Sequence, residues 1–246
     1  MRYEMMFPDQ IRDAIDNNVP AVIALGVLEY HGEHMSPGVD TLLVIRALDT
    51  LEKEVPMVIL PPFYYGASSF AVEPPERNGS VHVDTKVLQP FAGQLFYNLL
   101  RIGFRNIHVF IHHQCENFAA GMPTDLSFKL AARQETFAFL ERERGEGWWG
   151  DKASADYYAN HAAGANPFNW ISIHPFMSAE AQAEFPIDHA GQQETSLMMA
   201  FCPEAVDMNR FSEEKWYSNS AKLASLDYGD RAKKIILDDM KKFLVS

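Results

Sequence analysis

Glu29, His31, His34 and Asp40 fall within one short stretch, LEYHGEHMSPGVD, directly after the apolar run AVIALGV. Carboxylates and imidazoles lose several kcal/mol when they are desolvated without a partner, and a divalent cation is a partner that accepts both kinds of donor at once. Glu29 and His31 differ by two positions, so an extended backbone directs both side chains the same way. Gly32 permits a sharp turn, His34 follows, and Asp40 stands where the next helix should begin. An N-cap would account for Asp40 alone. It would not account for the spacing E-x-H-x-x-H-x5-D around it.

Two further stretches end apolar runs on reactive side chains. In IHVFIHHQCENF, a strand continued to its end would place His112, Gln114 and Glu116 on one side and His113 and Cys115 on the other. The face carrying Glu116 is the one suited to a metal. The ordinary alternative is that His112 and His113 are half-buried strand residues bonded to neighbouring backbone. A Cys115 nucleophile assisted by His113 is disfavoured, because adjacent strand residues point apart; a plain buried cysteine is the simpler reading. In IDHAGQQETSLMMAF, His189 and Glu194 frame the start of an apolar helical segment, with Gly191 at the turn. An acidic residue in a first helical turn is ordinary dipole chemistry; a histidine ahead of Ala-Gly is less easily dismissed.

The elements that must position these residues follow from periodicity. Buried strands are expected over 21–29, 56–62, 106–113 and 169–176, and helices over 41–54, 85–103 and 119–145, with Pro123 marking a start or a break. The alternation predicts an α/β fold of three layers, with a mostly parallel central sheet covered on both faces and ligands gathered beyond the carboxyl ends of the strands. The 246 residues, 47% hydrophobic, are read as a single domain spanning 1–246, without repeats or a linker-like run. A net charge of −12 argues against nucleic acid and anionic membrane as partners. No apolar leader or membrane-length run is found, and only two cysteines are present, so a cytoplasmic protein is expected.

Together the three stretches resemble the creatininase, or creatinine amidohydrolase, family, which is marked by E-x-H-G-x-H-x5-D, by N-G-H-x-E-N or N-G-H-G-G-N, and by H-A-G-x-x-E-T. Here the marks read Glu29-Tyr-His31-Gly-Glu-His34 through Asp40, His112-His113-Gln114-Cys-Glu116-Asn117 and His189-Ala-Gly-Gln-Gln-Glu194-Thr195, in the family's order. The first and third are specific and the second is partial. The resemblance implies a metal-dependent hydrolase of α/β/α fold, assembled as a homo-oligomer and often a hexamer. In family members with two ions, the aspartate matching Asp40 bridges them. One ion would then take Glu29 and Asp40, the other His31, Asp40 and Glu116. The family's remaining histidine ligand falls on Gln114, whose amide oxygen is a weaker, harder donor than imidazole. Three outcomes follow: a second ion that accepts oxygen donors, such as Mn²⁺ or Mg²⁺; a single Zn²⁺ on His31, Asp40 and Glu116, which is the expectation adopted; or entry of His113 or His112 by a register change.

A metal-bound water with its pKa lowered towards about 7 is a nucleophile at neutral pH. By resemblance His189 would transfer the proton to the leaving atom, Glu194 would orient it or add a ligand, and His34 would support the ligands. The expected substrate is a small cyclic amide or carbonyl compound. The alternatives are ring opening of an inositol-derived diketone of the 3-dehydro-scyllo-inosose type, and a non-catalytic metal or small-molecule binding protein on the same scaffold. Tyr64, Tyr65, Phe70, Trp148, Trp149 and Trp170 could wall a pocket or serve as core and contact residues.

Overall fold

Residues 1–162 and 166–245 are described by a computed structural model. In chain order the main elements are α1 (Pro8–Asp16), β1 (Ala21–Leu25), α2 (Val39–Leu51), β2 (Val58–Ile59), α3 (Thr85–Ile102), β3 (Ile107–Ile111), α4 (Pro123–Arg144), α5 (Tyr157–Ala162), β4 (Ile171–Pro175), α6 (Ala179–Glu184), α7 (Gln192–Phe201) and α8 (Leu226–Leu244). The strands form one parallel sheet in the order β2-β1-β3-β4, with Ala21 to Leu25 paired in register with Ile107 to Ile111, and Ile107 to Ile111 with Ile171 to Pro175.

Every residue of β1 and β3 is buried, as both faces of a parallel sheet require when helices cover them. Side chains alternate between two apolar layers. Val22, Ala24 and Phe110 pack with residues of α2, α7 and α8, whereas Ala21, Ile23, Leu25, Ile107, Val109 and Ile111 pack with α3, α4 and Ala14 of α1. The α/β/α expectation therefore holds, with the inner strands sharing their side chains between the two helical layers. In α8 the buried residues Gly229, Ala232, Ile236, Met240 and Leu244 recur every three or four positions, which lays one stripe on the sheet side and leaves the charged face to solvent.

The strands are shorter than their apolar runs. β1 stops at Leu25, which an isolated parallel bridge joins to Phe63, the Gly26 N–H closing that bridge on the Phe63 carbonyl. β2 is limited to Val58–Ile59; Pro61 and Pro62 follow and offer no N–H to a ladder. The shortening serves the site, because residues 26–38 are freed to loop across the carboxyl edge of the sheet. Among the described residues no helix is long and apolar enough to cross a membrane.

Gly26 sets the distance between the end of β1 and the start of α2. A β-carbon there would collide with Thr41 Oγ1, the Thr41 amide and the Asp40 carbonyl carbon, so the two elements must separate to admit it. Gly26→Ala is expected to cost about 1–3 kcal/mol of unfolding free energy, read from a shift of the urea midpoint at unchanged slope. A wild-type midpoint in that variant would show that the close approach does not hold the elements together.

Candidate metal centre

The loop after β1 is tied at several points before it reaches α2. Glu29 N–H bonds to the Pro37 carbonyl at 3.0 Å, Tyr30 N–H bonds to Ser80 Oγ at 2.9 Å, and Gly32 adopts φ +75°, the left-handed turn that glycine accepts without steric cost. α2 then begins with Gly38 as its cap residue and no side-chain cap bond. Asp40 is therefore not spent on capping. Its carboxylate is 2% exposed and turns inward between two histidines.

β3 ends at Ile111, and the following residues do not alternate as a strand would. Gln114 takes φ +52° and Cys115–Asn117 form a 3₁₀ turn. This turn brings His113 to the buried side: its Nδ1 lies 3.3 Å from Glu29 Oε2 and 3.3 Å from Asp40 Oδ2. On the other side of the aspartate, His31 Nε2 lies 3.6 Å from Asp40 Oδ1 and 3.5 Å from Glu194 Oε2. Two groups able to hold a metal ion result, Glu29-Asp40-His113 and His31-Asp40-Glu194, both fully buried and sharing Asp40 through different oxygens. Glu29, His31 and His189 form a third such group.

These separations suit an ion better than they suit hydrogen bonds. Two donors about 2.1 Å from a tetrahedral cation stand about 3.4 Å apart. His31 Nε2 and Asp40 Oδ2 have no hydrogen-bond partner although both are buried, a condition that polar atoms in a folded protein rarely tolerate. The ring of His31 is also set for coordination. Its Nδ1–H donates to the Glu29 carbonyl at 3.0 Å, which leaves the Nε2 lone pair facing Asp40 and Glu194. Glu194 is held in turn by His112 Nε2–H at 3.0 Å and by the Ala190 N–H at 2.7 Å. Ala190 has φ +55°, and Asp188 accepts from the backbone N–H of Gly191, Gln193 and Glu194, so the start of α7 is wound around two carboxylates. His189 donates through Nε2 to the Tyr30 carbonyl at 2.9 Å, and its ring lies 4.4 Å from that of His31. His34 is set back, bonded through Nε2 to Thr195 Oγ1 at 3.0 Å.

Charge follows the same arrangement. Burial opposes ionisation of Asp40, but His31 and His113 outweigh it and hold the carboxyl below its ordinary range. Burial likewise opposes ionisation of Glu194, and His31 and His112 bring it down to about 2. Desolvation works against protonation of His113, yet Asp40 and Glu29 push it up to about 10. His31 is also raised against desolvation, by Glu194, Asp40 and Glu29, and His112 is raised well above its ordinary value, with Cys115 and Glu194 prevailing over burial. His34 is lowered by its burial and by His31. The carboxylates thus demand positive charge, which protons or metal ions can meet.

A cavity of about 490 Å³ opens onto Glu29, Asp40, His112, His113, His189 and Glu194, with Gln114, Glu116 and Gln182 also on its wall. The structure brings Glu29, His31, Asp40, His189 and Glu194 together at one place. Glu116 belongs to none of the three groups, and Gln114 stands on the cavity wall. Glu116 is exposed and accepts from Asn117 Nδ2, and Gln114 occupies the left-handed turn. The places expected of them beside Asp40 are taken by Glu194 and His113, because the chain leaves the strand at His112 and strand alternation no longer applies. Tyr64, Tyr65, Phe70, Trp148, Trp149 and Trp170 do not line this cavity.

The sequence profile of the Creatininase family, described as creatinine amidohydrolase, matches residues 4–235. No curated protein matches the chain. Among solved structures, a creatininase in a manganese form is 18% identical with a TM-score of 0.66, over 97% of this chain and 95% of that one. A creatininase variant of Zn-Zn type is 18% identical, TM-score 0.65, over 97% and 95%. A creatininase variant complexed with creatine is 18% identical, TM-score 0.65, over 98% of each chain.

The perturbed groups give the metal-free protein a bounded range of stability. His113, raised from 6.5 to about 10, stabilises fully at low pH, and that contribution is lost as pH rises from 6.5 towards 10. Asp40 and Glu194 are lowered, so they stabilise fully above their ordinary values near 3.8 and 4.5 and lose that contribution as pH falls. Chelator-treated protein is therefore expected to be most resistant to urea at about pH 5–6 and to weaken on both sides. Resistance rising steadily from pH 6 to 9 would contradict these ionisations.

Proposed function

The chain belongs to the creatininase family, and on that premise we propose that it is a metal-dependent hydrolase that opens or cleaves a small cyclic amide or carbonyl compound. The observation that carries the reading is the sharing of Asp40: its two oxygens face separate imidazole-carboxylate groups, and buried donor atoms in both groups have no hydrogen-bond partner. The donor sets are alike, one imidazole and two carboxylates each, a mixture that suits Zn²⁺ and Mn²⁺. Two such ions would carry +4 against three carboxylates, close to neutrality for a buried cluster. When bound, the cations would supply Lewis acidity and lower the pKa of water towards neutrality.

The remaining work falls to the chain's own side chains. Glu29, Asp40, Glu194, His31 and His113 would hold the ions, with the single-zinc arrangement on Glu116 set aside in favour of a pair. His112 and the Ala190 N–H fix the Glu194 carboxylate, and the Glu29 carbonyl fixes the tautomer of His31. His189 keeps Nε2 bonded to the Tyr30 carbonyl, which leaves Nδ1 as the atom able to take up and deliver a proton at the cavity. His34, bonded to Thr195, would steady α7 behind Glu194. The outer cavity wall offers the carboxamides of Gln114 and Gln182 and the carboxylate of Glu116, and no lysine or arginine. This lining favours an uncharged, hydrogen-bonding substrate over an anion. Homo-oligomeric assembly and a cytoplasmic location remain part of the proposal.

Elemental analysis of protein purified without chelator is expected to give two divalent ions per chain in the wild type and in Glu116→Gln, and at most one in His113→Ala. One ion in the wild type, or loss on changing Glu116, would refute the pair. His189→Ala is expected to retain both ions and slow metal-restored hydrolysis of a panel of small cyclic amides by about 10²–10⁴-fold. Ligand-dependent thermal stabilisation with no hydrolysis under any metal would instead favour a binding protein.

A further inference from the structure

Beyond the metal groups, His189 is enclosed by a second polar chain. The edge of Tyr217 meets the His189 ring at 5.4 Å between centroids with the planes at 66°, on a ring that already lies against His31 and is bonded through Nε2 to Tyr30. The Tyr217 hydroxyl donates to Glu73 Oε1 at 3.2 Å, and the same carboxylate oxygen is paired with Lys215 Nζ. The Glu73 side chain is 14% exposed although its segment is a surface loop, and its neighbour Val72 forms part of the cavity wall. Tyr30, whose carbonyl holds His189, donates its own hydroxyl to Glu33 at 2.7 Å. The two phenols therefore each donate to a carboxylate, and the residues that carry them both touch His189, one through its carbonyl and the other through its ring.

We propose that Tyr217 is a positioning residue for His189, and that its tie to Glu73 and Lys215 also fixes the loop bearing Val72 against the cavity. Three constraints act on the imidazole: the bond to the Tyr30 carbonyl, contact with the His31 ring, and the Tyr217 edge. The first sets the tautomer, and the other two set the plane of the ring. Removing the Tyr217 edge leaves the ring free to rotate away from the carbonyl, after which no single nitrogen is obliged to keep the proton. The inference rests on the reading of His189 as the proton-transfer group, but the position of the ring can be measured without any substrate.

The test is a long-range proton–nitrogen NMR spectrum of the zinc-loaded full chain labelled at histidine, with the His189 signals identified by their disappearance in His189→Gln. The wild type is expected to show one His189 signature, with a proton held on Nε2. Tyr217→Ala should give averaged nitrogen shifts for His189 with unchanged zinc content. Tyr217→Phe and Glu73→Ala, which keep the ring but break the tie, should give a smaller displacement in the same direction. If Tyr217→Ala does not fold, those two variants decide the matter. A His189 signature identical to wild type in all folded variants would overturn the proposal, and loss of zinc alongside the shift would show a general collapse of the site instead of loss of positioning. Hydrolysis plays no part in this readout, so failure of the hydrolase reading and failure of the positioning role give different results.

Discussion

The Asp40 carboxylate lies in the first turn of α2 with both oxygens turned into a buried cluster, one towards His31 and one towards His113. A lone carboxylate in that place would be protonated or expelled, because removing its charge from water is too costly without compensation. Compensation comes from the N-terminal end of α2, whose dipole favours negative charge, and from imidazoles delivered by two other chain segments. Three segments far apart in sequence therefore have to end at one place: the loop after β1, the turn after β3 and the start of α7. Their common address is the carboxyl edge of the parallel sheet, where side chains leaving adjacent strands meet.

Support for this cluster is built in layers. The two apolar layers fix the strands, and the strands fix where the loops depart. Closer in, hydrogen bonds set the donors: the Glu29 carbonyl for His31, the Ala190 N–H for Glu194, and the Asp188 carboxylate for the turn that carries Ala190. Ala190 and Gln114 both hold left-handed backbone conformations immediately after a cavity histidine. For residues other than glycine that conformation is unfavourable, and in both cases it turns the chain sharply enough to aim the preceding imidazole inward. Local backbone strain is here exchanged for the direction of a side chain.

Much of this was legible in the sequence. Apolar runs located the four strands, the alternation with helices gave a parallel three-layer sheet, and the spacing of Glu29, His31 and Asp40 pointed to one rim. The strand limits were not legible, because Gly26 and the prolines after β2 end ladders inside runs that remain apolar. α1 and α8 are not among the helices expected from the sequence, although the buried stripe of α8 from Gly229 to Leu244 is regular. At the site, His113 and Glu116 exchanged expected places. Strand alternation assigns them to faces only while the strand continues, and a left-handed glutamine gives no sign in the sequence that it will end one. The His-His pair itself was the available signal, since either ring could be the one that turns inward.

Anomalous X-ray diffraction from crystals of protein purified without chelator, recorded at the zinc and manganese edges, tests most directly whether Asp40 is shared between two cations. The account predicts two peaks about 3.5–4 Å apart, one beside His113 and Glu29, the other beside His31 and Glu194, with Asp40 between them. A single peak, or a peak coordinated by Glu116 with Asp40 bonded to one side only, would contradict it.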